Sequence, residues 1–307
     1  MRKAFADTLL RVAEENPKVA FLTGDLGFQV FDPFREKFGG RYLNVGVAEA
    51  QLICCAAGMA LEGWRPVAYS IASFLTGRAF EFIRVSVAYP GLPVVVVGAG
   101  GGYTYAASGI THHAAEDLAL MSLLPGFTVV APGDSTEVTA LLPQVMQLPG
   151  PAYFRVGRYG EGTFEAEEPC VLGRARLVAS GRRVLIATTG DMAVVVSKAL
   201  KLLKSTAIEP IVYQFHTVKP LDTRTLDRIA PEIEAILVVE EHYPQGGLAA
   251  AIAAWRITRS EPMEFVRLGP PDRLALGNFQ REQLRKKLQF DSEAIVQMCR
   301  NLWEKHR

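Results

Sequence analysis

The chain has 307 residues, 49% of them hydrophobic and 21% charged, with 33 Lys and Arg set against 32 Asp and Glu for a formal net charge of +1. That near-neutral balance excludes a broad nucleic-acid footprint and a polybasic membrane anchor, and the length accommodates about two soluble domains. No apolar run reaches the roughly 18 residues of a membrane span, and the cysteines Cys54, Cys55, Cys170 and Cys299 form no CxxC pair, so reduced thiols in a cytoplasmic protein are expected.

The opening MRKAFADTLLRVAEENP is interrupted by Asp7, Glu14 and Glu15 and predicts an amphipathic helix rather than a leader. From residue 19 strand-like and helix-like segments alternate: VAFLTGD, RYLNVG, AEAQLICCAAGMALEG, RPVAYS, SFLTGRAFEFIRVSVAY, LPVVVVG, FTVVAP and PAYFRV, the last read as the final strand of a first domain, 1–160. The run Val94-Val95-Val96-Val97 does not alternate with polar residues, which points to a parallel sheet covered on both faces. The Gly- and Glu-rich stretch 161–177 reads as a linker. A second α/β series occupies 178–307: RRVLIATTG, DMAVVVSKALKLLK, PIVYQFH, a helix after Asp222, AILVVEEH and a helix after GGL. Asp134 or Ser135, and Asp191, are placed to cap helices. The fold class is therefore α/β, with a parallel-sheet domain followed by a smaller α/β domain.

The glycine-rich GAGGGYTYAASG, 98–109, follows a strong strand, but Tyr103 stands where a dinucleotide fingerprint needs its third glycine, and no P-loop GK[ST] occurs. Close backbone approach explains the glycines equally well. In THHAAED, His112 and Glu116 are spaced i, i+4; on a helix they could ligate a metal, but the sequence shows no matching cluster, and His112 reads as either a substrate-facing loop residue or a buried structural one. No GxSxG elbow supports acyl-enzyme chemistry. Glu49, in NVGVAEAQ, falls where a strand end enters a helix at the edge favoured by α/β active sites; it is either a favourable charge at a helix start or a functional carboxyl in an apolar setting.

With these residues in place the chain resembles the transketolase family. The segment NVGVAEAQLICCAAGMALEGWRPVAYS is similar to its pyrimidine-binding segment with a GIAE-type glutamate, and SFLTGRAFEFIR, GITHHAAEDLALMSLLPGFTVVAPGD, PAYFRVGR and TVKPLD…VVEEHYPQGGLA are similar to successive family segments, covering about residues 3–270. The resemblance implies a thiamine-diphosphate-binding fold followed by a transketolase C-terminal domain. It implies that Glu49 hydrogen-bonds the cofactor's aminopyrimidine and favours its reactive tautomer, that Phe74, with Phe80 beside it and Asp25 nearby, holds that ring, and that His112, Ser108, Arg155 and Arg158 face a sugar-phosphate substrate.

The family's diphosphate-binding GDG motif is missing: Gly24-Asp25-Leu26 is similar instead to the start of the pyrimidine domain. A partner subunit, the N-terminal section of a split transketolase, is therefore expected to bind the diphosphate and its Mg2+ or Ca2+, with no metal ligand on this chain, and a self-dimer within an α2β2 complex is expected. Ser108 replaces an aspartate and Gly100 a histidine of typical transketolases, which implies a different sugar from the usual pentose phosphates. The expected reaction is transfer of a two-carbon ketol unit. The alternatives are a 2-oxoacid dehydrogenase beta subunit or a deoxyxylulose-phosphate-synthase-like enzyme on the same scaffold, or a non-catalytic scaffold subunit.

Overall fold

The computed structural model describes residues 1–158, 161–166, 168–260 and 262–306. Tyr159, Gly160 and Glu167, at or within the expected linker, lie outside them. The first half runs α1 (Arg2–Glu15), β1 (Val19–Thr23), α2 (Asp32–Phe38), β2 (Tyr42–Asn44), α3 (Glu49–Leu61), β3 (Arg65–Ile71), α4 (Ala72–Arg78), α5 (Phe80–Phe82), β4 (Val95–Ala99), α6 (Asp117–Ser122), β5 (Thr128–Val130), α7 (Ser135–Val145) and β6 (Ala152–Val156). The second runs β7 (Arg176–Ala179), β8 (Arg183–Thr188), α8 (Met192–Leu203), β9 (Ile211–Gln214), β10 (Thr217–Lys219), α9 (Thr223–Ile229), β11 (Ile233–Val239), α10 (Leu248–Arg256), β12 (Glu264–Leu268), α11 (Arg281–Lys287) and α12 (Ser292–Lys305).

Two sheets result, of order β10-β5-β6-β4-β3-β1-β2 and β12-β11-β8-β9-β7. Neighbouring strands are parallel except at one edge of each sheet, where β10 runs antiparallel to β5 and β7 antiparallel to β9. The valine run divides as a two-residue period requires: Val95 and Val97 pack with Phe5, Phe21, Tyr69 and Phe154 on one face, Val94 and Val96 with Leu52, Ile53, Leu75 and Tyr153 on the other. In the second sheet Val184 and Ile186 face one cluster, Leu185 and Ala187 the other. Among the described residues no helix is long and apolar enough to cross a membrane.

Three local expectations are corrected. The segment after β3 is not one helix: Ala79, at φ −99° and ψ 10°, separates α4 from α5, which continues as a π-helical turn over Ile83–Ala88. The first sheet does not end with PAYFRV, because β6 is interior and TVK from the second half supplies its edge strand, held by Lys219 Nζ donating to the Ser122 and Leu124 carbonyls. Asp134 caps α7 as expected, accepting from Thr136 and Glu137 N–H, but Asp191 makes no capping bond because its carboxylate pairs with Arg281 and Arg285.

Candidate functional site

Strands β4, β3, β1 and β2 lie side by side and parallel, so their C-terminal ends share one edge. At the end of β2, Asn44 donates through Nδ2 to Asp25 Oδ1 at 2.8 Å and accepts through Oδ1 from Gly46 N–H at 3.0 Å, tying the ends of β1 and β2 together. Gly46 takes φ +75°, a conformation that favours glycine, and the chain then enters α3 at Glu49.

Glu49 is 3% exposed. Ser70 Oγ, on β3, donates to its Oε1 at 3.2 Å, and Arg78, at the end of α4, brings Nη1 to 3.4 Å from Oε2. The same guanidinium lies 4.3 Å from the centre of the Phe74 ring, one helical turn earlier. A flat ring stacked on that face and hydrogen-bonded to Glu49 would displace the half-exposed Arg78 side chain. His112 meets Phe74 edge-on at 5.0 Å and Tyr105 at 5.9 Å. Ser73 Oγ donates to the Thr111 carbonyl at 3.0 Å, fastening the histidine loop to α4. Partial burial, with His113 and Arg78 nearby, lowers the His112 pKa below its ordinary 6.5, so the ring is neutral at pH 7.

The remaining expected site residues are placed as follows. Asp25 is exposed, at φ +58°, on the rim beside Asn44. Ser108 is exposed at the end of a short 3-10 turn, four residues before His112. Arg158 reaches the Tyr105 face, with its guanidinium 5.3 Å from the ring centre. Phe80 packs on the core around Leu52, Ile53 and Leu75, whereas the ring contacts of Phe74 are with His112 and Arg78.

Arg155 is 8% exposed, with Nε 3.1 Å from Asp117 Oδ2 and Nη2 donating to the Ala114 and Glu241 carbonyls at 3.3 Å, and it lines a cleft with Gly101, Thr104, Gly157 and Gly190. His112 and Glu116 do not share a helix, since α6 begins only at Asp117. His113 is the structural histidine of the pair, buried edge-on against Tyr103 at 4.8 Å.

The glycine-rich loop serves close approach. A Cβ at Gly101 would collide with the Arg155 guanidinium, and one at Gly102, which is at φ +61°, with Glu241. Ser70, Arg78 and Tyr105 are residues of the candidate site that the sequence reading missed. The i, i+4 spacing of Phe74 and Arg78 was the available signal for one of them; nothing local marks Ser70, which only strand pairing brings beside Glu49.

Residues 1–159 match the transketolase pyrimidine-binding domain and residues 173–295 the transketolase C-terminal domain. The chain is 34% identical over 89% of its length to the 6-deoxy-6-sulfo-D-fructose transketolase subunit SqwH of Clostridium sp. (strain MSTE9), covering 85% of that protein. It is also 34% identical over 88% of its length to the 1-deoxy-D-xylulose-5-phosphate synthase of Gloeobacter violaceus, of which it spans only 43%. A solved structure titled as a split gene transketolase, inactive beta4 tetramer, superposes with a TM-score of 0.88 at 31% identity, covering 100% of this chain and 99% of that one.

Proposed function

Because this chain belongs to the transketolase family, with a pyrimidine-binding domain followed by a C-terminal domain, we propose that it is the catalytic-glutamate subunit of a split transketolase, moving a two-carbon ketol unit between anionic sugars. The observation that carries the proposal is the carboxyl of Glu49, 3% exposed at the start of α3 and paired with Arg78, whose guanidinium lies over the face of Phe74. These residues fit the aminopyrimidine of thiamine diphosphate, which when bound supplies a nucleophilic carbon for cleaving and forming bonds next to a carbonyl.

With thiamine diphosphate bound, Glu49 would hydrogen-bond its aminopyrimidine, and exclusion from water would keep proton exchange with the ring rather than with solvent. Ser70 orients Oε1 for this task. Phe74 would support the ring face, with Asp25 and Phe80 as the further cofactor contacts. His112, neutral at pH 7 and held by Phe74 and Thr111, hydrogen-bonds the substrate's oxygens. Arg155 and Arg158 are the proposed contacts for the substrate's anionic group, and Ser108 a further proposed substrate contact. A partner chain binds the diphosphate and its Mg2+ or Ca2+, and two copies of this chain assemble with two partners; the superposed split transketolase, an inactive beta4 tetramer, supports dependence on such a partner.

Ketol transfer is favoured over the decarboxylating reading because the transketolase subunit is matched over most of its own length and the synthase over less than half. The test is calorimetric titration of thiamine diphosphate and Mg2+ into this chain alone and into its mixture with the partner, followed by turnover with anionic ketoses and with pyruvate. Binding in the mixture with turnover of ketoses is expected; turnover of pyruvate only would overturn the reading. Replacing His112 with Asn removes a neutral hydrogen-bonding ring, and kcat/KM for the ketose should fall about 10- to 100-fold, the range for one lost bond to a charged or polarised group. Thiamine diphosphate affinity should stay unchanged in that variant. In the parent the acid limb of kcat/KM should lie below pH 6.5, since the His112 pKa is lowered and the ring protonates only there.

A further inference from the structure

A second cluster of chemistry-bearing side chains lies where the linker meets both sheets. Glu137 is in the first turn of α7, Cys170 in the stretch between β6 and β7, and His216 between β9 and β10. Glu137 and His216 are 0% exposed and Cys170 is half-buried. Among the described residues, one donor atom from each of these three lies within 4.8 Å of the other two.

The bonding around the cluster is incomplete. Glu137 Oε2 accepts from Gly133 N–H at 2.7 Å and from Gln214 Nε2 at 3.3 Å, and Oε1 lies 3.5 Å from Arg176 Nη1. His216 Nδ1 is bonded to Thr217 Oγ1 at 3.0 Å, while its Nε2 is buried without a hydrogen-bond partner among the described residues, as is Gln214 Oε1. Buried polar atoms are rarely left unmade, and an imidazole fixed through Nδ1 presents Nε2 as a ligand in the manner of metal-binding histidines.

We propose that Glu137, Cys170 and His216 bind one Zn2+ ion that pins the linker to both sheets, a site separate from the thiamine diphosphate machinery. A mixed carboxylate, thiolate and imidazole set suits zinc, whereas Mg2+ and Ca2+ take oxygen ligands. Tetrahedral ligation places donor atoms about 3.3–3.8 Å apart, so donor atoms at the full 4.8 Å would close by about 1 Å on binding. On binding, the thiol becomes a thiolate and its proton leaves to the buffer, while water takes the fourth position. Charge balances: Zn2+ and Arg176 are met by the Glu137 carboxylate, the Cys170 thiolate and the buried Asp134 carboxylate.

The test is titration of Co2+ into the chelator-stripped full chain. One equivalent should bind with the intense visible bands of tetrahedral cobalt and a thiolate charge-transfer band, and Zn2+ should abolish both. The charge-transfer band should vanish in Cys170→Ser and persist in the Cys54→Ser/Cys55→Ser double variant. As a measurement needing no variant, stoichiometric Zn2+ should protect Cys170 from iodoacetamide, read by peptide mass spectrometry. Sub-stoichiometric binding, a purely octahedral cobalt spectrum, a charge-transfer band that survives Cys170→Ser, or Cys170 alkylated equally with and without zinc would each overturn the proposal.

Discussion

In the enzyme assembled with its partner, replacing Glu49 with Gln lowers ketol transfer by roughly 10²–10⁴-fold, the usual contribution of a positioned proton-transfer group. Glutamine keeps the shape and a hydrogen bond to Ser70 but cannot hold and return a proton, so the loss falls on kcat rather than on assembly. The fold should be indifferent. Glu49 sits in the first turn of α3, and its ion pair is with an Arg78 whose side chain is 56% exposed, an arrangement that contributes little to stability in water. Steady-state kinetics, alongside circular dichroism and calorimetric cofactor titration of the same variant, separate these outcomes. Full turnover in Glu49→Gln would remove the proposed mechanism and leave only a structural subunit.

The second large effect concerns stability. Glu241, 1% exposed, accepts from Arg281 Nε and Nη2 at 2.9 and 2.6 Å, from Arg285 Nε at 2.5 Å and from Tyr103 N–H at 2.7 Å. Asp191 shares both arginines. The network joins the glycine-rich loop after β4 to α8 and α11 of the second half. Replacing Glu241 with Gln leaves two guanidinium groups short of a charge inside the protein, which should cost about 3–5 kcal/mol.

Burial alone would raise the Glu241 carboxyl, but Arg281 and then Arg285 outweigh it and hold the pKa at about 2, against an ordinary 4.5. A carboxyl depressed in the folded state contributes stability that is fully present above pH 4.5 and is lost as pH falls toward 2, on the order of 3 kcal/mol. Urea unfolding of the parent followed by circular dichroism should therefore show a stability drop across that window that is largely absent from Glu241→Gln. Parallel curves for the two proteins would show that the network contributes nothing.

How much of this was legible in the sequence follows from the range of each interaction. Runs such as Val94–Val97 declare buried parallel strands because an extended chain turns alternate side chains to opposite faces, and both faces here are covered. Glu49 could be singled out because its helix start and apolar surroundings are local, and the family resemblance covered residues contiguous with it. Asp134 declared its cap for the same reason, since the bonds it accepts lie two and three residues away.

What only the tertiary structure decided are the partners supplied by strands and loops distant along the chain. Asp117, Ala114 and Glu241, far apart in the sequence, converge on Arg155. Strand β10 crosses to the first sheet although its neighbours in sequence belong to the second. Glu137, Cys170 and His216 carry no spacing motif, because three elements from both sheets and the linker bring them together. Local pattern thus determined the elements and the candidate carboxyl, while the state of each buried charge was set by which distant groups the fold places against it, since burial leaves protein atoms as its only partners.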